Sequence, residues 1–189
     1  WLFIASCQML SQVTRSVIEE NQRILLRRWQ WVRSEGSCIA FGMDRETTAV
    51  LHGLTQDELA LASDCASPLF GLAVDEIAMA NLVKADGYVV HKDPVSAHII
   101  EENEELLFTR WAAARQDDIQ AKMVFAIGPK VVNFLQNATL HDLRKVARSG
   151  HICGRIMVRH TYLWQAGKCA HLGLAQRSCL GLVAARQGR

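Results

Sequence analysis

The stretch Ile18-Glu19-Glu20-Asn21 returns as Ile100-Glu101-Glu102-Asn103, and this recurrence decides how the chain is divided. The residues after it return as well: Leu25, Arg28 and Trp29 are matched by Leu107, Arg110 and Trp111 at the same offset of 82. Farther on, Gly42 is set against Gly128, and Leu51, Thr55, Leu59 and Val74 against Leu135, Thr139, Leu143 and Val158 at an offset of 84. Small drifts of offset are what insertions between structural elements produce. Four identities followed by a tryptophan at fixed spacing mark an internal repeat, which governs every other reading of a chain. Two copies are too few for a solenoid, which needs at least three stacked units. The expected organisation is a first unit over 11–75, a linker able to hold one helix over 76–96, a second unit over 97–160 and a tail over 161–189, read either as a short helix from Leu172 to Val183 or as a partly ordered segment.

Each copy opens on a long amphipathic helix. Val13, Val17, Ile18, Ile24, Leu25, Trp29 and Val32 fall at helical spacing, as do Ile100, Leu107, Trp111 and Ala114 in the second copy. Ile18, Asn21, Leu25 and Trp29, with Ile100, Asn103, Leu107 and Trp111, are the candidate pairing face of the two long helices. Asn21 and Asn103 lie by the apolar stripe, where a polar residue can fix register between paired helices. Glu101, Glu102, Glu104 and Glu105 crowd the first turns of the second long helix, where carboxylates suit the positive helix end.

Two short helices follow in each copy. Asp44 is a candidate N-cap for a helix through about His52, and Thr55 with Glu58 forms a capping box ahead of Leu59 and Leu61. That helix is expected to end near Ser67-Pro68, because the residue before proline disfavours α geometry, with an extended segment over Leu69 to Val74. In the second copy Gly128-Pro129 opens a helix and Thr139 with Asp142 makes the capping box. The expected fold is all-α: two tandem copies of a long helix plus a helix-turn-helix-like pair, able to associate as an intramolecular pseudo-dimer.

The copies differ in charge. Residues 1–90 carry 7 Lys/Arg against 11 Asp/Glu, and residues 91–189 carry 14 against 8, so the halves are −4 and +6 within a chain of net +2. The last short helix of copy one holds Gln56, Asp57, Glu58 and Asp64 and no basic residue. Its counterpart holds His141, Arg144, Lys145 and Arg148, followed by Arg155, Arg159 and His160. Phosphate would repel the first helix. It would be bound by the second through counterion release, with arginine also able to read guanine edges. Arg144, Lys145, Arg148, Arg155 and Arg159 are therefore the candidate DNA-binding residues, and double-stranded DNA the candidate partner.

Other chemistry finds little support. The six cysteines (Cys7, Cys38, Cys65, Cys153, Cys169, Cys179) do not recur between copies and include no CxxC pair, which points to free thiols in a reducing, cytoplasmic compartment. Cys169, His171 and Cys179 fit no common zinc spacing, so no metal or cofactor is expected. No GxSxG, HExxH, P-loop or dinucleotide fingerprint is present, His91 and His98 flank the linker as solvent-exposed residues, and no enzyme is expected. No apolar run reaches the roughly 18 residues of a membrane span; the opening WLFIASCQML, short and without a basic n-region, is read as the start of the first helix or a fragmentary reading frame, with a truncated signal segment as the alternative.

The stretch AFGMDRETTAVLHGLTQDELALAS, with LFGLAVD after it, resembles the FlhD family of bacterial transcriptional regulators. Gly42, Asp44, Glu46, Leu54, Thr55, Leu59, Ala62, Val74 and Asp75 carry the resemblance in copy one, and Gly128, Thr139, Leu143, Val146, Ala147 and Val158 in copy two. The resemblance implies an all-helical dimer that joins a zinc-binding FlhC-like partner and activates flagellar promoters or the conjugation genes of mobile elements. It also implies that one chain with two units replaces a homodimer of single units. The cysteine that links protomers in some FlhD members falls at Phe70 and Gly154, so that disulfide is not implied, although Cys153 is adjacent. The alternative within the same fold is a partner-binding or anti-activator scaffold that does not touch DNA.

Overall fold

A computed structural model of the chain describes the backbone over residues 2–35, 41–74 and 97–187, and side chains over 12–34, 41–74 and 97–186. The linker assigned to 76–96 and the apolar run Cys38-Ile39-Ala40 lie outside the described residues. The described chain is mostly helical, as expected for an all-α class, with one two-stranded sheet added. In order, the elements are α1 (Leu2–Glu35), α2 (Arg45–Gly53), α3 (Gln56–Ser63), β1 (Phe70–Val74), α4 (Ala97–Gln116), α5 (Asp118–Phe125), α6 (Pro129–Asn137), α7 (Leu140–Arg148), β2 (Ile152–Ile156), α8 (His160–Lys168) and α9 (Leu174–Gln187).

The chain forms two compact units, residues 1–70 with 156–189 and residues 71–155. The segment expected to be a tail is thus part of the first unit, as the two helices α8 and α9. Val158 and Arg159, assigned from the sequence to the second unit, belong to the first.

In unit 1, α1 packs against α2 and α3, and α8 lies against both short helices. The buried stripe of α1 runs Val17, Glu20, Asn21, Ile24, Leu25, Arg28, Val32, so its helical period holds three polar side chains. Local signals set the short helices. The Asp44 carboxylate accepts from Thr47 N at 2.6 Å, and Thr55 and Glu58 close a reciprocal capping box at 2.9 and 3.3 Å. Helix α3 stops at Ser63, short of the expected Ser67-Pro68, because residues 64–69 turn back over α1 and bond to Asn21.

In unit 2, α4 packs against α5, α6 and α7. It starts at Ala97 and has no acidic residue in its first turn, which corrects the placing of the four glutamates there; Glu102 is buried beside Asn103 instead. Helix α5 was not foreseen. It is capped by the Asp117 carboxylate on Gln120 N (2.9 Å), and ends on Ala126 with φ +51°. Gly42 has φ +63°, so the structural counterpart of Gly42 is Ala126, not Gly128. The offset is then 84 from Phe41/Phe125 onward, and Gly128 takes the N-cap place of Asp44 without its side-chain bond. Strands β1 and β2 pair with each other and, apart from Phe70 and Ile156, belong to unit 2.

Candidate nucleic-acid interface

Both units use the same bonds to hold their last short helix. Asn21 Nδ2 donates to the carbonyls of Cys65 (2.9 Å) and Ser67 (3.0 Å), while Leu69 N donates to Asn21 Oδ1 (2.9 Å). Asn103 Nδ2 donates to the carbonyls of Ala147 (3.3 Å) and Ile152 (3.2 Å), and Gly154 N donates to Asn103 Oδ1 (3.2 Å). Each amide has both N–H groups and its oxygen bonded inside its own unit, and both are fully buried. The expected register role between two facing helices is therefore replaced by a brace that ties the long helix to the turn after α3 or α7.

The tryptophans form a second brace. Trp29 Nε1 donates to Leu54 O at 2.9 Å and Trp111 Nε1 to Ala138 O at 3.1 Å; these carbonyls end α2 and α6, inside the turn of each short-helix pair. Arg33 lies over the Trp29 ring at 4.9 Å and Arg115 over Trp111 at 5.0 Å. Leu25 and Leu107 are core residues, whereas Ile18 and Ile100 are half-buried. Two buried residues escaped the sequence reading: Arg28, between the rings of Phe41 (5.2 Å) and Phe70 (4.9 Å), and Arg110, over Phe125 at 4.6 Å with Nη1 on Leu106 O at 3.2 Å. Their recurrence at one offset was visible, but an arginine at a core position reads as surface until its aromatic partners are known.

With the short-helix pairs held alike, α3 and α7 can be compared position by position. Asp57, Ala60, Leu61 and Asp64 of unit 1 become His141, Arg144, Lys145 and Arg148 of unit 2. Leu143, Val146 and Ala147 form the buried side of α7, and His141, Arg144 and Arg148 are exposed on the other, with Lys145 half-buried. Arg144 and Arg148, four residues apart, share a face. Arg148 Nε stands 3.7 Å from Glu104 Oε1 of α4, a half-exposed pair worth about 0–1 kcal/mol that a phosphate can displace. The α7 start is fixed by Thr139 and Asp142, bonded N to Oδ2 at 2.8 Å and Oγ1 to N at 3.2 Å. Hydrogen bonds from Thr139, with His141 and Lys145 nearby, hold the Asp142 carboxyl below its ordinary value.

Of the candidate residues, the structure gathers Arg144, Lys145 and Arg148 on α7 and places the exposed Arg155 on β2 of the same unit. Arg159 belongs to the other unit, as the N-cap residue of α8.

In unit 1 Asp64, the counterpart of Arg148, and the capping-box residue Glu58 face the returning C-terminal segment. Lys168 Nζ bonds Glu58 Oε1 at 2.7 Å and lowers the carboxyl pKa, and Arg177 Nη2 bonds Asp64 Oδ2 at 2.5 Å. Tyr162 OH donates to Ala62 O at 3.0 Å, and a Cβ at Gly167 would meet Glu58 O at 2.9 Å, so α8 lies as close to α3 as a glycine allows. The acidity of copy one thus serves an intramolecular contact that the sequence reading did not find. Among the described residues no group of histidine, cysteine and carboxylate is arranged to hold a metal ion, and no helix is long and apolar enough to cross a membrane. Comparison of the chain with family models, with curated proteins and with solved structures finds no match in any of the three.

Proposed function

We propose that this chain is the DNA-binding subunit of a cytoplasmic transcriptional activator, an FlhD-like regulator without catalytic activity that contacts duplex DNA through α7. The observation that carries the reading is the charge reversal between two helices braced alike: Asp57/His141, Ala60/Arg144, Leu61/Lys145 and Asp64/Arg148. A helix with its apolar side buried and arginines one turn apart on its exposed side has the form of an element that enters a major groove. Arg144 is the candidate base reader, with Lys145, Arg148 and Arg155 neutralising phosphates; Arg159, in unit 1, is a further candidate phosphate contact. The family resemblance adds an FlhC-like zinc-binding partner, flagellar or mobile-element promoters as targets, and pairing of the two copies within one chain or between chains.

The test is fluorescence anisotropy on a labelled duplex across a salt series, with the triple charge reversal Arg144→Glu, Lys145→Glu and Arg148→Glu. Each lost phosphate contact should lower the slope of log K against log salt by about 0.9. Asp57→Asn, on the exposed side of α3 at the place of His141, should not weaken binding. Equal affinity and equal slope for the triple variant and the parent would overturn the reading.

The second reading, a scaffold or anti-activator that never meets DNA, is favoured by one observation: α3 is engaged by protein, through Lys168 on Glu58 and Arg177 on Asp64. It predicts that the triple variant leaves the occupancy of a promoter by any complex containing this chain unchanged.

A further inference from the structure

The charges that end α3 and α7 are balanced in different ways. At the end of α3, Asp64 takes Arg177 of α9 at 2.5 Å, with the arginine side chain 7 % and the carboxylate 33 % exposed. At the end of α7 its counterpart Arg148 takes Glu104 of α4 at 3.7 Å, with the two side chains 53 % and 24 % exposed. The place of Glu104 in the first copy is held by Gln22, which is neutral. The carboxylate on the long helix thus accompanies the basic short helix and is missing beside the acidic one.

Burial and distance give the two pairs different roles. The Arg177 guanidinium also bonds Asp64 O through Nε at 3.1 Å and Leu172 O through Nη1, and water is nearly excluded from it. That pair belongs to the packing of α9, since removing either partner strands a charge away from water. Glu104 and Arg148 stand farther apart than the about 2.7–2.9 Å of a charge-assisted hydrogen bond, and the arginine is half in water. Such a pair fixes little geometry and contributes little to folding. What it changes is the charge α7 shows to an anion. A carboxylate beside the guanidinium offsets its field, and a phosphate oxygen that binds Arg148 has to displace that carboxylate.

We infer that Glu104 is the counter-anion of the DNA-binding face and lowers its affinity for every duplex alike. The inference rests on the reading of α7 as the DNA-binding helix. Phosphate contacts position a protein on DNA and carry no sequence information. Exchange of carboxylate for phosphate at Arg148 therefore leaves base preference to Arg144, and Glu104 governs how tightly the chain binds rather than where. The exchange also tempers the salt response. The displaced carboxylate stays beside the phosphate and regains a cation, so the contact releases fewer ions on balance.

Glu104→Gln keeps the size of the side chain and removes its charge. Fluorescence anisotropy of the full chain on a GC-rich and an AT-rich duplex of equal length, across a salt series, reads the effect. The variant should bind both duplexes more tightly than the parent by the same factor, about threefold to tenfold at low salt. The advantage should shrink as salt rises, and the melting temperature should stay within a few degrees of the parent's. Glu101→Gln makes the same charge change one turn earlier on α4, at an exposed carboxylate outside the ion pair, and should gain less than about twofold. In an Arg148→Gln background, Glu104→Gln should also gain less than about twofold, because the cation it offsets is gone. With a parent that binds, four results overturn the inference: no gain from Glu104→Gln, an equal gain from Glu101→Gln, an equal gain without Arg148, or a gain on one duplex alone. A parent that binds neither duplex overturns the reading of α7 itself, and this inference with it.

Discussion

Replacing Asn21 with alanine tests the brace that shapes the first unit. The substitution removes three buried bonds of 2.9, 3.0 and 2.9 Å and strands the carbonyls of Cys65 and Ser67 and the amide of Leu69. A buried polar group that loses its partner costs about 1–3 kcal/mol, so three groups with some relaxation put the loss at about 3–5 kcal/mol. Against a domain stability of about 5–15 kcal/mol this is a large fraction. Asn103→Ala breaks the same set at 3.2–3.3 Å, where the geometry is weaker, and should cost less, about 2–3 kcal/mol. Asn21→Asp should be worse than alanine, because an oxygen would replace a nitrogen within 3.0 Å of two carbonyl oxygens. Guanidinium denaturation followed by tryptophan fluorescence reads all three. A loss below about 1 kcal/mol for Asn21→Ala, under the floor for even one stranded group, would refute the brace. A larger loss at Asn103 than at Asn21 would refute the ranking by distance.

Four further outcomes are expected. Ala126→Gly should stabilise unit 2 by about 1 kcal/mol in the same denaturation assay, because a left-handed residue at φ +51° is relieved of its Cβ penalty, as Gly42 already is. Gly167→Ala should destabilise unit 1 by about 1–3 kcal/mol and raise the rate at which trypsin cuts after Arg159, since its Cβ would press on Glu58 O at 2.9 Å. Asp142 has a depressed pKa, so its capping box contributes stability fully above the unfolded value of 3.8 and loses it as pH falls through the folded value; Asp142→Asn should flatten that acid limb in a melting-temperature series. Burial pushes the Cys65 thiol above its ordinary value, so iodoacetamide followed by mass spectrometry should label the exposed Cys179 in the native chain and Cys65 only after unfolding.

The outer face of α7 shows how far a local signal reaches. Thr139, Asp142, Leu143, Val146, Arg144 and Arg148 lie within three turns of one another, and their order alone states where the helix begins, which side is buried and which is basic. The outer face of α9 shows the opposite. There Leu182 and Val183 are exposed and Arg177 is buried against a carboxylate 113 residues away, a partner that no local pattern records. Of the candidate interface, the α7 residues and Arg155 were legible for the first reason, and Arg159 was misplaced because chain adjacency does not say to which unit a segment returns.

The sequence by itself determined the two long helices, the capped short pairs, the all-α class and the opposite charge of the two halves. Each of these rests on contacts between residues a few positions apart, so composition and period suffice to state them. Only the tertiary structure decided that Asn21 and Asn103 brace turns 44 to 51 residues away, that Arg28 and Arg110 are buried against aromatic rings, and that the last two helices complete the first unit. A polar side chain can enter a core only when partners from distant parts of the chain satisfy it, and no local pattern records who those partners are.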